Sequence, residues 1–280
     1  MDRGDRRVNA TTEALLAAGI PADRAAGLVD AGLTVELAGE VVLLAAVDEP
    51  VTGERRVLVT VGADRVAADP DRLAALRALV TRDHPDAETI VLRLPPGAAA
   101  PAGARLLMQY VESGAVPEAP AQTAGWEVRP YRPDDRDAVH DLLVRALEIG
   151  YRTAGSTAPP AQTHAVAADL LDRAGDDVTV FCAVGAPGFG GHATVVWDTD
   201  DLTGEDRPEL FDVFVRPEHR GSPVGRLLTA AAVRWAAGVG FPLRGHVVGD
   251  DANAATVRQR LLASGWRPAE GYWAVPAGGR

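Results

Sequence analysis

The sequence predicts an α/β (α+β) protein in two parts, a smaller α/β domain and a larger domain in which helices flank a sheet. Three observations lead to this prediction. Segments with apolar residues at every second position alternate with segments in which they recur every three or four positions. A stretch rich in Pro, Ala and Gly interrupts this alternation, and a new strand begins after it at Trp126. The predicted division is a domain over residues 1–115, a linker over 116–125 and a second domain over 126–280.

The first domain is predicted to be a small globular α/β unit. Thr11 or Thr12 can cap its first helix, and Pro70 suits the first position of a later one. The elements, in order, are a helix over 11–31 interrupted at 19–21, strands at 34–47 and 55–62, a helix from 69 onwards, and strands at 88–94 and 104–111. No constellation of reactive side chains stands out in this half, so we expect no cofactor site there.

The second domain begins with a strand, and Pro133 to Asp135 cap the helix that follows it. Its predicted order is strand, helix, helix, three strands, helix, strand, helix, strand over residues 126–276. The bounds are a strand at 126–131, helices to about 152 and at 161–173, strands at 177–184, 191–197 and 210–215, a helix from 224, a strand at 243–248, a helix at 254–263 and a strand at 272–275.

Composition narrows the functions that are open. All 28 basic residues are arginine, so chemistry that needs a lysine Schiff base is excluded. A net charge of −11 argues against nucleic-acid binding, which needs a basic face. No apolar run approaches the length of a membrane span, and the charged N-terminal stretch lacks the pattern of a signal peptide. Together with the single Cys182, this predicts a cytoplasmic protein, monomer or homodimer, without a membrane or nucleic-acid partner.

The turn after the strand at 210–215 is predicted to bind an anion. Residues 216–223 connect this strand to a helix whose apolar positions start at Val224. Free N–H groups and the positive end of the helix dipole meet at such a turn. Arg216, Arg220 and Arg226 add positive charge against one neighbouring acid. A diphosphate or polyphosphate group is the ligand that this arrangement favours.

The same turn resembles a motif of the GNAT acetyltransferase superfamily, Arg/Gln-x-x-Gly-x-Gly/Ala, which holds the pyrophosphate of acetyl-CoA. The six positions here run from Arg220 to Gly225, and Pro223 stands where the family has glycine. Proline has no N–H to offer a phosphate. The resemblance implies an acetyl-CoA (or other acyl-CoA) site without a metal. It assigns the phosphate contacts to the backbone of Gly221, Ser222, Val224 and Gly225 and to the side chains of Arg220 and Arg226.

Other parts of the second domain resemble the family as well. The opening "WEVRPYRPDD" is similar to its first strand and helix cap, and residues 264–266 end the last helix as its members do. The resemblance implies a GNAT-like mixed, mostly antiparallel sheet flanked by helices, in which the fourth strand diverges from the fifth. It places the backbone of Val213, Phe214 and Val215 along the cofactor arm, and Asn253, predicted to cap the last helix, against the pantetheine group.

Acyl transfer to a small amine needs a group that accepts the proton of the amine. Family members take a carboxylate from the fourth strand, where this sequence has Glu209, our first choice, and Asp212, our second. Their odd spacing would place them on opposite faces of a regular strand. His246 is a further candidate base, and His192 has the same weak status. The histidines show no metal-ligand spacing.

One position departs from the family in a way that bears on catalysis. Members commonly have a tyrosine four residues before the closing glycine, which protonates the departing thiolate, and counting back from Gly265 gives Leu261. Tyr151 or Tyr272 could replace it, but the sequence does not place either. Three functions remain open: an N-acyltransferase, a GNAT-fold module that binds acyl-CoA without turnover, and an enzyme with other acyl-CoA chemistry such as decarboxylation. The first half loosely resembles a degenerate GNAT core.

Overall fold

The computed structural model describes residues 11–114, 116, 123, 125–186 and 188–278. In chain order, the elements of the first half are α1 (11–17), α2 (Ala22–Asp30), β1 (Thr34–Leu37), β2 (Glu40–Asp48), β3 (Arg55–Val59), α3 (Ala63–Ala67), α4 (Pro70–Asp83), β4 (Thr89–Leu94) and β5 (Arg105–Glu112). Those of the second half are β6 (Trp126–Pro130), α5 (Arg136–Thr153), α6 (Pro160–Asp172), β7 (Val178–Gly185), β8 (Gly188–Thr199), β9 (Asp206–Val215), α7 (Val224–Gly238), β10 (Arg244–Val248), α8 (Ala252–Ala263) and β11 (Arg267–Pro276).

The chain divides into two compact units, each built from more than one stretch. The first unit comprises Met1–Gln109, Asp200–Glu205 and Ala269–Arg280, and the second comprises Tyr110–Thr199 and Asp206–Pro268. Most of the predicted linker lies outside the described residues. The domain boundaries drawn from the sequence stay a prediction. Within the described residues, no helix has the length and apolar composition needed to cross a bilayer.

In the first unit, helices cover a mixed sheet in the order β1-β2-β3-β4-β11, in which β3 and β4 are parallel and the other neighbours antiparallel. Its core includes the fully buried Leu76, Ile90 and Leu92. The single strand predicted over 34–47 is wrong, because the chain reverses at Ala38 and Gly39, with φ of 49° and 82°. Two consecutive residues with positive φ form the tight turn of a β-hairpin.

In the second unit, β10 and β9 are parallel, and the series β9-β8-β7-β6 is antiparallel. Helices pack on both faces, since Val180 and Cys182 contact the cluster of α5 and α6 while Phe181 and Ala183 contact that of α7. This alternation follows from the two-residue period of a strand. The order of elements from β6 to β11 and the mixed, mostly antiparallel sheet flanked by helices are confirmed.

The first strand of the second unit is held to its helix by an ion pair. Asp135 accepts hydrogen bonds from Arg129 Nη1 and Nη2 at 2.6 and 2.8 Å, and from the N–H of Arg132 at 2.9 Å. The Arg129 guanidinium lowers the pKa of Asp135 below its usual range although burial opposes this. Residues 133–135 form a short 3-10 turn directly before α5, and Asp135 stands at the cap position of the helix, but its side chain forms no cap hydrogen bond to α5.

Candidate active site

A gap opens between β9 and β10 in the second unit. The two strands pair only at Arg244–Glu209 and Gly245–Leu210. On its other edge, β9 stays paired with β8 as far as Val215. The remaining residues of β10, from His246 to Val248, therefore have no partner in β9. This divergence is the feature that the family resemblance implies for a cofactor arm.

A β-bulge at Phe211 sets the side chains that face this gap. Asp212 pairs with Thr194 and Leu210 pairs with Val195, so Phe211 has no counterpart on β8. An extra residue in one strand shifts the alternation of side chains by one position. Glu209 and Asp212 lie opposite Val196 and Thr194, which are two residues apart and share a face. The prediction that Glu209 and Asp212 point to opposite faces is therefore wrong.

Glu209 is bound to His246 at the closed end of the gap. Glu209 Oε1 lies 2.8 Å from His246 Nδ1, and the two side chains are 8% and 17% exposed. Burial alone would raise the pKa of Glu209, but the hydrogen bond and charge of His246, with Arg244 and Arg207, bring it below its usual range. Glu209 is thus an ionised carboxylate that accepts a hydrogen bond from Nδ1 of His246. The other ring nitrogen of His246, Nε2, is not in contact with Glu209.

Asp212 lies on the same face beside a second histidine, with its side chain 15% exposed. Its Oδ2 is 3.3 Å from Nε2 of the fully buried His192, whose Nδ1 is 3.2 Å from the Thr194 hydroxyl. Burial raises the pKa of Asp212 to about 7, although the charge of His246 and the N–H of Val213 lower it. Burial also lowers the pKa of His192 to about 3, so this imidazole stays neutral. At neutral pH the pair can hold a carboxylic acid beside a neutral imidazole.

This environment predicts a stability that depends on pH through Asp212. Because its folded-state pKa of about 7 lies above the ordinary 3.8, ionisation costs stability as the pH rises from about 4 to 7. Asp212→Asn removes this cost, which is on the order of 2 kcal/mol between pH 5 and pH 8. We expect the melting temperature of the variant, relative to the parent, to be several degrees higher at pH 8 than at pH 5.

Thermal unfolding at the two pH values measures this difference. Asp176→Asn is the matched control, since Asp176 is an exposed carboxylate of the same unit. A gain for Asp212→Asn that is equal at both pH values would show that Asp212 is ionised in the folded protein throughout this range.

The open edge of β9 offers backbone groups to the gap at alternate residues. The N–H of Arg216 donates to the carbonyl of Gly190 on β8 at 2.9 Å, and the carbonyl of Phe214 lies against Gly191. Backbone groups of a strand point to alternate sides. Those of Val213 and Val215 therefore face the gap, while those of Phe214 face β8. The prediction that all three residues present backbone groups to a cofactor is corrected for Phe214.

The turn after β9 is exposed and shaped by Gly221. Its φ of +84° belongs to the left-handed region that glycine adopts without strain. The N–H of Ser222 donates to the carbonyl of His219 at 3.1 Å, so the prediction that this group is free for a phosphate is wrong. The Ser222 hydroxyl accepts from the N–H of Val224 at 3.4 Å. The N–H of Gly221 and that of Gly225, in the first turn of α7, have no partner among the described residues.

The arginines of this turn differ in their surroundings. Arg220 and Arg226 are exposed, and neither forms an ion pair with a described residue. Arg216 lies over the ring of Phe189, 5.4 Å from its centroid, and its Nη1 is 3.8 Å from Glu218 Oε1. The positive charge predicted here is thus largely available, since one weak ion pair offsets it.

Two aromatic contacts that support the site were missed by the sequence reasoning. The ring of His219 lies 4.8 Å from that of Trp126, and a Cβ at Gly190 would come within 2.5 Å of the indole. This packing holds His219 in place, and the carbonyl of His219 accepts the hydrogen bond from the N–H of Ser222. Near the gap, the ring of Tyr110 lies 5.5 Å from that of His246. Only a three-dimensional arrangement brings these residues together, and no local motif carries the signal.

The cap of α8, the single cysteine and possible metal ligands complete the description of the site residues. Asp251, whose carboxylate accepts from the N–H of Ala254 at 2.7 Å, caps α8, so the prediction that Asn253 is the cap is wrong. Asn253 is exposed in the first turn of that helix. Cys182 is buried, and burial raises the pKa of its thiol to about 12, which leaves it unreactive. Among the described residues, no group of three or more potential ligands is placed to hold a metal ion.

Several solved structures are similar to the chain. A tandem GNAT protein from the clavulanic acid biosynthesis pathway, solved without acetyl-CoA, is 17% identical over 86% of this chain and 79% of that one, with a TM-score of 0.44. A GCN5-related N-acetyltransferase from Kribbella flavida is 21% identical over 91% and 95%, with a TM-score of 0.47. An aminoglycoside N-acetyltransferase in complex with CoA is 20% identical over 50% and 85%, with a TM-score of 0.36.

The curated proteins contain no match to this sequence. Residues 149–258 match the model of the acetyltransferase (GNAT) family. The matched range runs from the end of α5 to α8, and it includes the gap, the exposed turn and the pair formed by Glu209 and His246. Residues 149–258 therefore form an acetyltransferase domain of the GNAT family.

Proposed function

We propose that this chain is an acyl-CoA-dependent N-acyltransferase that moves the acetyl group of acetyl-CoA to a small amine or amino-acid-like acceptor. The observation that carries the proposal is the gap between β9 and β10, which ends at the pair of Glu209 and His246. A gap of this kind can admit a thin thioester arm, and a proton acceptor stands where the arm would end. The family of residues 149–258 supports acyl transfer in general.

The exposed turn would hold the nucleotide end of the cofactor. The N–H groups of Gly221 and Gly225 and the positive end of α7 favour a pyrophosphate. Arg220 and Arg226 would supply counter-charges. From there the pantetheine arm would run along β9 and form hydrogen bonds with the backbone of Val213 and Val215. Asn253, exposed at the start of α8, would contact the same arm.

The structure favours His246 as the group that meets the amine, with Glu209 behind it. Glu209 itself is poorly placed to meet the amine, because its Oε1 is taken by His246 and little of its side chain is exposed. A buried carboxylate on Nδ1 orients an imidazole and stabilises its protonated form. The acceptor amine, once neutral, would attack the thioester carbonyl and lose its proton to Nε2. A backbone N–H on the open edge of β9 would stabilise the oxyanion.

The test combines calorimetry with a free-thiol assay on the full chain. We expect acetyl-CoA to bind with one site per chain and CoA thiol to be released only when an accepted amine is present. A panel of small amines and amino acids identifies the acceptor. Failure of acetyl-CoA and CoA to bind would contradict the proposal at its first step.

A non-catalytic acyl-CoA-binding module is the second candidate, and two observations favour it. Pro223 offers no N–H to a phosphate, and Leu261 cannot protonate a thiolate. This candidate predicts binding of acetyl-CoA without thiol release for any amine. The same two measurements therefore separate it from the enzyme.

A further inference from the structure

The departing thiolate needs a proton, and the residue that commonly supplies it in the family is absent. Leu261 is partly buried and packs against the apolar cluster that contains Val233 of α7 and Trp266, so it faces the core. We propose that His246 performs both proton transfers, taking the proton from the amine and returning it to the sulfur of CoA. This inference rests on the proposed function and adds a catalytic role to one residue of that site.

The position of His246 suits both transfers. His246 follows directly after Gly245, the last residue of β10 that pairs with β9. It therefore lies at the closed end of the gap. In acyl transfer, the attacking nitrogen and the leaving sulfur are bonded to the same carbon. A group within reach of one is within a few ångströms of the other. One imidazole at the closed end of the gap can therefore serve each in turn.

The ring of His246 is held in place from two sides. Glu209 Oε1 binds Nδ1 at 2.8 Å, and the ring of Tyr110 packs at 5.5 Å with a tilt of 56°. Tyr110 is itself covered by Arg244, whose Cζ lies 3.6 Å from the ring centroid. Among the described residues, Nε2 has no hydrogen-bond partner. Its lone pair is thus free for substrate while the plane of the ring is fixed.

The proton balance closes without any other reactant. The amine nitrogen forms a bond to the carbonyl carbon, and its proton passes to Nε2 to give an imidazolium that Glu209 stabilises. The carbon–sulfur bond then breaks, and its electron pair leaves on sulfur. The proton on Nε2 passes to this thiolate, which gives the amide, CoA thiol and a neutral imidazole. His246 starts the next turnover in its original state, and Leu261 needs no replacement.

The test compares His246→Gln with the parent chain on two donors and one amine. Loss of the base role lowers the rate of acetyl transfer from both donors equally. Loss of the acid role lowers the rate only for the donor whose thiol must be protonated as it leaves. The donors are acetyl-CoA and an acetyl thioester of an aromatic thiol that ionises well below neutral pH. We expect the ratio of parent to variant kcat/KM to be at least tenfold larger for acetyl-CoA. Equal ratios would overturn the proposal and leave His246 as a base alone.

Two measurements keep this result separate from misfolding and from failure of the proposed function. Calorimetry with CoA should give the same affinity for His246→Gln as for the parent, because CoA binding involves no proton transfer at this ring. Glu127→Gln, at an exposed position of β6 outside the site, is the control variant. It should give the kcat/KM of the parent with both donors, which shows that a difference between the donors belongs to His246→Gln.

Discussion

Glu209→Gln is expected to lower kcat/KM for amine acetylation by about 10²- to 10⁴-fold, the range that a positioned acid–base pair contributes. The amide has nearly the shape of the carboxylate but carries no charge. It would no longer stabilise the imidazolium that forms when His246 takes the proton of the amine. The steady-state rate of thiol release at saturating acetyl-CoA measures the loss.

Glu127→Gln is the matched control for this prediction, because Glu127 is an exposed carboxylate on the edge strand β6. It should leave kcat/KM unchanged within twofold. Calorimetry with CoA should give similar affinities for both variants and the parent. Full activity of Glu209→Gln with CoA binding intact would remove the pair of Glu209 and His246 from the mechanism.

Ser222→Asp is expected to weaken acetyl-CoA binding by at least tenfold. Aspartate can accept a hydrogen bond from the N–H of Val224 as the serine hydroxyl does, so the turn should keep its shape. Its charge would lie within a few ångströms of the pyrophosphate, where like charges about 4 Å apart repel by about 4 kcal/mol at an effective dielectric constant near 20. Screening at an exposed turn reduces this value, and about 1.4 kcal/mol already corresponds to tenfold.

Ser222→Asn isolates the charge in this experiment, since asparagine has the size and capping ability of aspartate but is neutral. Calorimetry should give an affinity for this variant within about threefold of the parent. Both variants should unfold at or near the temperature of the parent, because a negative charge at a helix N-terminus is itself favourable. Equal affinities for the two variants would place the pyrophosphate away from this turn.

The larger elements could be predicted from the sequence because their patterns are local. The apolar positions of α7 recur at helical spacing, and Val178 to Cys182 alternate between the two faces of the sheet. The hairpin at Ala38 and Gly39 was missed because alanine rarely adopts a positive φ, so nothing marked the turn as strongly as Asn-Gly would. The cap of α8 was misplaced by two residues, since Asp251 and Asn253 are both good capping residues.

The composition of the site could be predicted more readily than its geometry. The turn from Arg220 to Gly225 was identified from its residue types and spacing, and the resemblance to the GNAT family pointed to Glu209 and Asp212 on the strand before it. His246 was a candidate because of its residue type. The bulge at Phe211 could not be, because it depends on pairing with β8 and leaves no mark in the sequence. It turns two carboxylates that a regular strand would separate onto one face. The contact of Glu209 with His246 likewise depends on the register of β9 and β10.

A crystal structure of the chain with acetyl-CoA would locate both ends of the cofactor. We expect pyrophosphate oxygens within hydrogen-bonding distance of the N–H groups of Gly221 and Gly225. We also expect the thioester to lie between β9 and β10, with its carbonyl carbon near His246. A nucleotide bound away from this turn, or strands β9 and β10 that close together and exclude the thioester, would show that the cofactor site is placed wrongly.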